Sequence, residues 1–543
     1  MKRLVVILLL PLFLPLAAQD YLPSVLVLTG ETDAESLEGQ VLEKFDALNA
    51  NPLMLNYASR GELSSSGLFT PFQVASILDY RSREGDILSF MELAFVDGFN
   101  ESVAAALKPF VSLYSGRVPG QPPSQGVRQR AIVRGGLSTA SWNAGAKYRI
   151  TAGRFEAAAA VNRPSAGGVV PGAYALWKGR RRLGKVIAGD YNVRFGQGLA
   201  LWSGFSLSGL STPEAFAKRP SGLSAAWSWS GSSARGAAAD FSFGPFCLTV
   251  CADLSHLKAK ARADPGANLT WYSRYGQTGL TATWEVVSVD SRYCLKGVDI
   301  FGELAYDFHN KSPAGVAGTL VPLGDFKLSV LGRCYPSGFA SSYAGAVRSG
   351  TKVQDEAGVA LGCSWKGFTL TVDAFTKLSS AKHGLKAVLA GAVPLGQGIS
   401  LKLRATERLR NYSPTNRTDL RADFSGEYGS WTTNVRANAV FSSKYGLLGY
   451  AEQGYKTERL ALWLRLTLFH ADNWDDRLYS YERDAPGNFN VPAYYGRGLS
   501  AAFVGSCKLL RGRLKLYSRA ALTANRSKDS LKAELKFQAV WDF

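Results

Sequence analysis

The residues of this 543-residue chain with the means for catalysis or metal binding are four histidines, six cysteines and a few groups of carboxylates. His256, His309, His383 and His470 lie at least 53 positions apart, so none shares a local metal or triad motif with another. No HExxH, GxSxG, phosphate-binding glycine loop or dinucleotide fingerprint occurs. A hydrolase on a barrel wall would have to draw on His309 with Asn310, or on His256 with Asp253; the expectation is a chain that is not an enzyme and holds no cofactor. Cys247, Cys251, Cys294, Cys334, Cys363 and Cys507 form no CxxC pair. Cys247 and Cys251 share a strand face but stand too far apart along it to bridge. From His470 to Tyr495 the chain gathers Asp472, Asp475, Asp476, Glu482 and Asp484 beside Trp474, Tyr479 and Tyr481. Oxygen ligands and stacking faces of this kind suit Ca²⁺ or a sugar, but EF-hand spacing is absent and a solvated loop is expected. The run Lys178-Gly179-Arg180-Arg181-Arg182 reads as a turn or rim cluster.

The elements that carry these residues are mostly strands. Leu531, Ala533, Leu535, Phe537, Ala539, Trp541 and Phe543 alternate with Lys532, Glu534, Lys536, Gln538, Val540 and Asp542. Such alternation puts one face in fat and the other in water. It recurs around Leu460 to Leu468, Leu420 to Phe424, Phe368 to Ala374 and Ile399 to Ala405, with charged residues on the polar face. Segments of about ten residues cross a bilayer as strands and are too short to cross as helices. Residues 128–543 therefore predict a large transmembrane antiparallel β-barrel of about 20 to 24 strands. Its longest interruptions, Ser206 to Ser221, Arg333 to Glu356, Arg408 to Arg417 and His470 to Tyr495, are expected as extracellular loops. The stretch from Gly189 to Leu199 is rich in glycine and is expected to allow a strand kink or the close approach of a lumenal element.

Composition agrees: 56 Gly, 63 aromatics and a mean hydropathy of −0.04 exclude both a helical membrane protein and a disordered chain. Residues 1–18 read as a secretory signal peptide, with Lys2 and Arg3 before the apolar Leu4 to Leu16. The formal charge of +19 is unevenly spread: residues 31–115 carry −8, and residues 116–543 carry +26. The basic excess would suit anionic solutes in the lumen, lipopolysaccharide phosphates at the rims, or dispersed solvation.

The acidic part is helical. Ser59 with Glu62, Thr70 with Gln73 and Ser89 with Glu92 are capping boxes, and Asn100 caps a fourth helix. Ser59 to Thr70 and Ser89 to Asn100 both span eleven residues, which defines a thirty-residue repeat. Its turns are Ser66, Gly67, Leu68, Phe69 and Thr70, then Asp97, Gly98, Phe99 and Asn100. Asn51-Pro52-Leu53, Leu55-Asn56, Glu62-Leu63, Gly67, Gln73, Ile77 to Arg81, Gly85, Glu92-Leu93 and Gly98-Phe99 resemble the tandem helix-hairpin-helix module of the competence protein ComEA. More closely, the whole chain is similar to a family of uncharacterised outer-membrane proteins in which this small all-α module precedes a barrel.

That resemblance implies a signal peptide (1–18), a helix-hairpin-helix domain (31–115) held in the periplasm, a linker (116–127) and a barrel (128–543) in the bacterial outer membrane. Phe537, Trp541 and Phe543 resemble the terminal signal that such barrels present to the barrel-assembly machinery. Partners follow: outer-membrane lipid and lipopolysaccharide, that machinery, and a periplasmic protein. The expected role is transport or envelope assembly without catalysis, with the head as plug or docking domain. The alternative is DNA uptake. Duplex binding by these hairpins relies on a Gly-x-Gly turn and on cations that release counterions, whereas each turn here keeps one glycine and the module is acidic.

Overall fold

The computed structural model describes residues 21–31, 37, 39–50, 52–69, 71–115, 126–179, 182–204, 210–229, 231, 233–255, 263–413, 415–488 and 490–543. The signal peptide, most of the linker, Thr70 and His256 lie outside the described residues.

Twenty-four long antiparallel strands close into one barrel. A short strand, Gly222–Ala225, lies beside Leu183–Arg194, which also pairs with Ala234–Phe243. Closure is made by the terminal strand Ser530–Asp542 against Arg128–Ser138, with Glu534 opposite Ser138 and Asp542 opposite Arg130. Phe543 and Gln129 exchange two backbone hydrogen bonds, of 3.0 and 2.8 Å, so the C-terminal residue seals the ring. A ring of this kind leaves no edge strand to pair with another chain.

The period-two pattern decides which side chains face outward. On Leu460–Ala471, Leu464, Leu466 and Leu468 are exposed while Ala461, Trp463, Arg465 and Thr467 are buried. Leu403, Leu420, Leu370 and Leu535 are outward in the same way. No helix of the described residues is long and apolar enough to cross a membrane; the strands supply the crossing face. Exposed aromatics ring both ends of this face. Trp177, Trp271, Trp365, Trp431 and Trp541 lie at one end, and Trp142, Trp284, Phe308, Phe441 and Tyr445 at the other. Amphipathic rings favour the two bilayer interfaces, so these girdles mark the height of the apolar band. Phe543 belongs to the first girdle, 4.7 Å from the Trp541 ring.

That first end carries short turns. Lys296 and Gly297 both have positive φ (50° and 84°), as do Lys366 and Gly367 (44° and 87°). Two successive left-handed residues match the right-handed twist of the strands they join, and glycine at the second removes the Cβ clash. The opposite end holds the long connections.

Among the described residues six α-helices precede the barrel: α1 (Leu22–Thr29), α2 (Gly39–Ala50), α3 (Arg60–Ser66), α4 (Pro71–Arg83), α5 (Phe90–Ala94) and α6 (Glu101–Leu107). Ser59 and Glu62 bond reciprocally at the start of α3: the Ser59 N–H donates to the Glu62 carboxylate (3.0 Å) and the Glu62 N–H to Ser59 Oγ (3.3 Å). Ser89 caps α5 by accepting from the Glu92 N–H at 3.0 Å, and Asn100 caps α6 by accepting from the Val103 N–H at 2.9 Å. Glu92, however, accepts from the Leu88 N–H and the Tyr80 hydroxyl instead of closing back on Ser89. Phe69 and Phe99, the repeat-related aromatics, meet with ring centroids 6.0 Å apart. Val25, Phe45, Leu55, Leu63, Ile77, Leu93 and Phe110 share one buried core, so the helices form a compact unit.

Candidate functional site: the filled lumen

A barrel of this many strands encloses far more space than its own side chains fill, so the inner wall must meet water, a solute or other parts of the chain. Here much of it meets the chain. The helical unit touches inward-facing residues at the short-turn end. Arg130 donates to Asp46 of α2 at 2.9 Å and lies 3.6 Å from Asp542 of the closing strand. Lys178, the last residue of its strand, pairs with Glu62 of α3 at 3.2 Å. The Arg60 guanidinium stacks over Tyr272 at 4.5 Å. Thr212 Oγ1 donates to the Gly30 carbonyl at 2.7 Å, and Arg219 donates to the Leu28 carbonyl. Burial disfavours the Glu62 carboxylate, but the Lys178 charge and hydrogen bonds from Ser59 outweigh it and hold the group below the usual range. Burial, with the Arg194 and Lys185 charges nearby, lowers the Lys44 ammonium of α2 to about 7.

The two hairpin turns are placed differently. Ser66, Leu68 and Phe69 are buried, and the α-carbon of Gly67 faces the Lys44 ammonium and Ser221 of a barrel connection. Asp97, Gly98 and Asn100 are exposed, with the Gly98 carbonyl accepting from Gln73 at 2.8 Å. The turns therefore do not form one continuous contact face.

Three of the four expected extracellular loops are corrected by the structure: the described parts of 206–221, 336–355 and 472–495 fold against the inner wall, whereas Arg408 to Arg417 spans a short turn between two strands with Asn411 and Tyr412 exposed. The connection 195–233 and the connection 336–355 clasp each other, with the Trp202 N–H on the Tyr343 carbonyl (2.9 Å) and the Gly345 N–H on the Gly198 carbonyl (2.8 Å). Leu199, Phe216 and Phe339 pack with Phe301, Val316 and Leu331 of the inner wall. Glu303, buried on the strand Val298–Asp307, anchors the first connection by accepting from the N–H groups of Gln197 (2.7 Å), Leu199 (3.0 Å) and Ala200 (3.3 Å). This is the close approach expected of the Gly189 to Leu199 stretch. A Cβ on Gly196 (φ +58°) would stand 2.7 Å from Glu303 Oε2. Gly196→Ala is thus expected to loosen this clasp at a cost of about 1–3 kcal/mol. Urea unfolding in detergent, compared with the parent chain, checks the loss.

The connection 472–495 is corrected in the same way. Its carboxylates do not converge on a cation site, and Asp476 and Glu482 are buried while Asp472 and Asp475 stay exposed. Glu482 pairs with Arg519, Asp484 with Lys536 (2.8 Å), and fully buried Asp476 accepts from the Lys444 N–H (3.2 Å). Asp472 stands 3.6 Å from Arg497. Asp476, Glu482 and Asp484 meet wall cations or backbone groups because this part of the connection lies against the inner face. Among the described residues no group of three or more His, Cys, Asp or Glu is arranged to hold a metal.

The histidine candidates are not brought together. The His309 ring lies 5.8 Å from Trp284, while Asp253 accepts from Tyr343 (2.9 Å) and from the Arg235 and Ser255 N–H groups. All six cysteines are free thiols. A groove of about 1050 Å³ opens on the membrane side over Gly302, Gly315, Ala317 and Gly332, where lipid chains would fill it.

A closed ring with an apolar outer belt, two aromatic girdles and a charged inner wall defines a membrane-spanning β-barrel. No family model and no curated protein matches the chain. Among solved structures, the chain is similar to the translocation pore of the P pilus usher (PapC), at 9% identity, 77% of this chain, 99% of that chain and a TM-score of 0.39. It is also similar to Pseudomonas aeruginosa OccK7 (OpdD), at 10% identity, 77% and 98% coverage and a TM-score of 0.31. Acinetobacter baumannii OccAB3 matches at 8% identity, 77% and 99% coverage and a TM-score of 0.29. The strand register, not these distant likenesses, defines the fold.

Proposed function

We propose that this chain is an outer-membrane channel closed by parts of itself: the helical head on the periplasmic side and the infolded connections from the other. The observation that carries the reading is the pair of salt bridges joining head to wall, Asp46 to Arg130 and Glu62 to Lys178. Both stand at the short-turn end, which in bacterial barrels of this architecture faces the periplasm. Ion pairs, a cation–π contact and a few hydrogen bonds form a seat that separates without unfolding the barrel, as a displaceable plug requires. A periplasmic protein is the natural agent of displacement, and the exposed Asp97–Asn100 turn, with exposed Leu88, Met91 and Phe95, is open to it. DNA uptake is disfavoured, since one hairpin turn is interior and the other offers Asp97 to a phosphate backbone.

The test is the full chain carrying Asp46→Arg and Glu62→Lys, which sets like charges against Arg130 and Lys178. Planar-bilayer recordings are expected to show rare, brief openings for the parent chain and a several-fold higher open fraction for the variant. Equal open fractions would overturn the plug reading.

A further inference from the structure

Inward-facing side chains around most of the barrel are buried under the head or the infolded connections, as Arg333, Glu303, Arg465, Arg519 and Lys147 are. The strands Ile399–Arg410 and Arg417–Tyr428 differ. There Lys402, Arg408 and Arg410 are exposed, and Arg404, Arg417 and Arg421 keep part of their surface open. This arc is where a passage remains against the wall.

The register gives the arc an unusual charge pattern. Lys386 stands directly opposite Arg408, Arg408 opposite Arg417, and Arg404 opposite Arg421. Like charges opposed across strands repel, and a protein wall tolerates them only with counter-charge at hand. Part of that is local: Asp423 lies 2.8 Å from Arg421, and Asp419 lies 3.9 Å from Arg417. Arg417 also donates to the carbonyls of Asp475 and Arg477, which fixes its guanidinium beside the passage. A further counter-charge comes from the head: Glu31, just after α1, is within electrostatic reach of both Lys386 and Arg404.

We infer that the solute of this channel is an anion, conducted along Lys386, Arg404, Arg408, Arg417 and Arg421, and that Glu31 occupies the same field while the head is seated. The inference rests on the channel reading above and names its solute class. A row of fixed cations lowers the barrier for anions and raises it for cations, and successive sites let an anion pass from one to the next. Anion entry and head seating then compete, because both draw on the same cations.

The test uses the full-length Asp46→Arg, Glu62→Lys chain as reference, so that any effect of the head is common to all variants. Reversal potentials are measured across a KCl gradient. The reference is expected to pass chloride several-fold better than potassium. Adding Arg404→Gln and Arg408→Gln is expected to bring the two permeabilities together, while Arg404→Lys and Arg408→Lys should preserve the preference. Retained preference in the glutamine variant, with the lysine variant also conducting, would overturn the path. A conducting reference that prefers potassium would overturn the solute class but leave the channel reading standing. A silent reference would overturn both.

Discussion

Arg333→Met is expected to cost about 3–5 kcal/mol, because it strands two carboxylates inside the barrel. Arg333 is fully buried and donates to Glu356 at 2.7 Å and to Asp373 at 2.7 Å; Glu356 is itself fully buried. Methionine keeps most of the apolar stem but supplies no charge. Glu356 would retain only Lys377, at 3.7 Å, and the N–H groups of Ser349 and Gly350, which places the loss toward the lower end of that range. Glu356→Gln should cost less, since Arg333 keeps Asp373 and the amide still accepts the backbone N–H groups. The order Arg333→Met well above Glu356→Gln, read from urea midpoints in detergent, checks the argument; equal losses would mean that packing, not charge, holds this part of the wall. The same triad ties the connection 336–355 to its strands, because Ser349 Oγ also donates to Asp373 at 3.0 Å. The destabilised chain should therefore lose protection first in that connection.

The barrel was legible because its information is local. Alternation along Leu460 to Leu468, or along Leu531 to Phe543, states which side of a strand meets lipid without reference to any other strand. The caps Ser59, Ser89 and Asn100 were legible for the same reason, since each bonds within three residues of itself. What fills the lumen was not. Period two turns Arg465 and Arg519 inward, but their partners Glu452 and Glu482 come from other strands and connections. The acidic connection 472–495 reads as solvated because nothing nearby in sequence says that Arg519 and Lys536 wait across the barrel. Glu303 was missed as an anchor, although a lone carboxylate at an inward position among Phe301 and Ala305 was the available signal. Lys402 and Arg404 were read as inward charges. Their significance, and that of Arg408, Arg417 and Arg421, depends on strand register, which alternation alone leaves open.

The head shows the same division. Its charge of −8 was legible as unsuited to nucleic acid. Which residues meet required the structure: Asp46 with Arg130, Glu62 with Lys178 and Arg60 with Tyr272. The partly exposed Glu62–Lys178 pair contributes little stability, about 0–1 kcal/mol. The barrel itself is held by a continuous ring of backbone hydrogen bonds. Removing the head is therefore expected to leave the barrel folded while emptying the short-turn end of its lumen.

That expectation yields the second large effect and the most direct test of a passage closed by the chain's own head. Deleting residues 21–115, which removes helices α1 to α6 of the head, and recording single-channel conductance in planar bilayers, beside the full chain, is the measurement. A barrel of this size with its head removed should conduct about tenfold or more above the full chain. Folded barrels of the two forms with the same conductance would contradict the account.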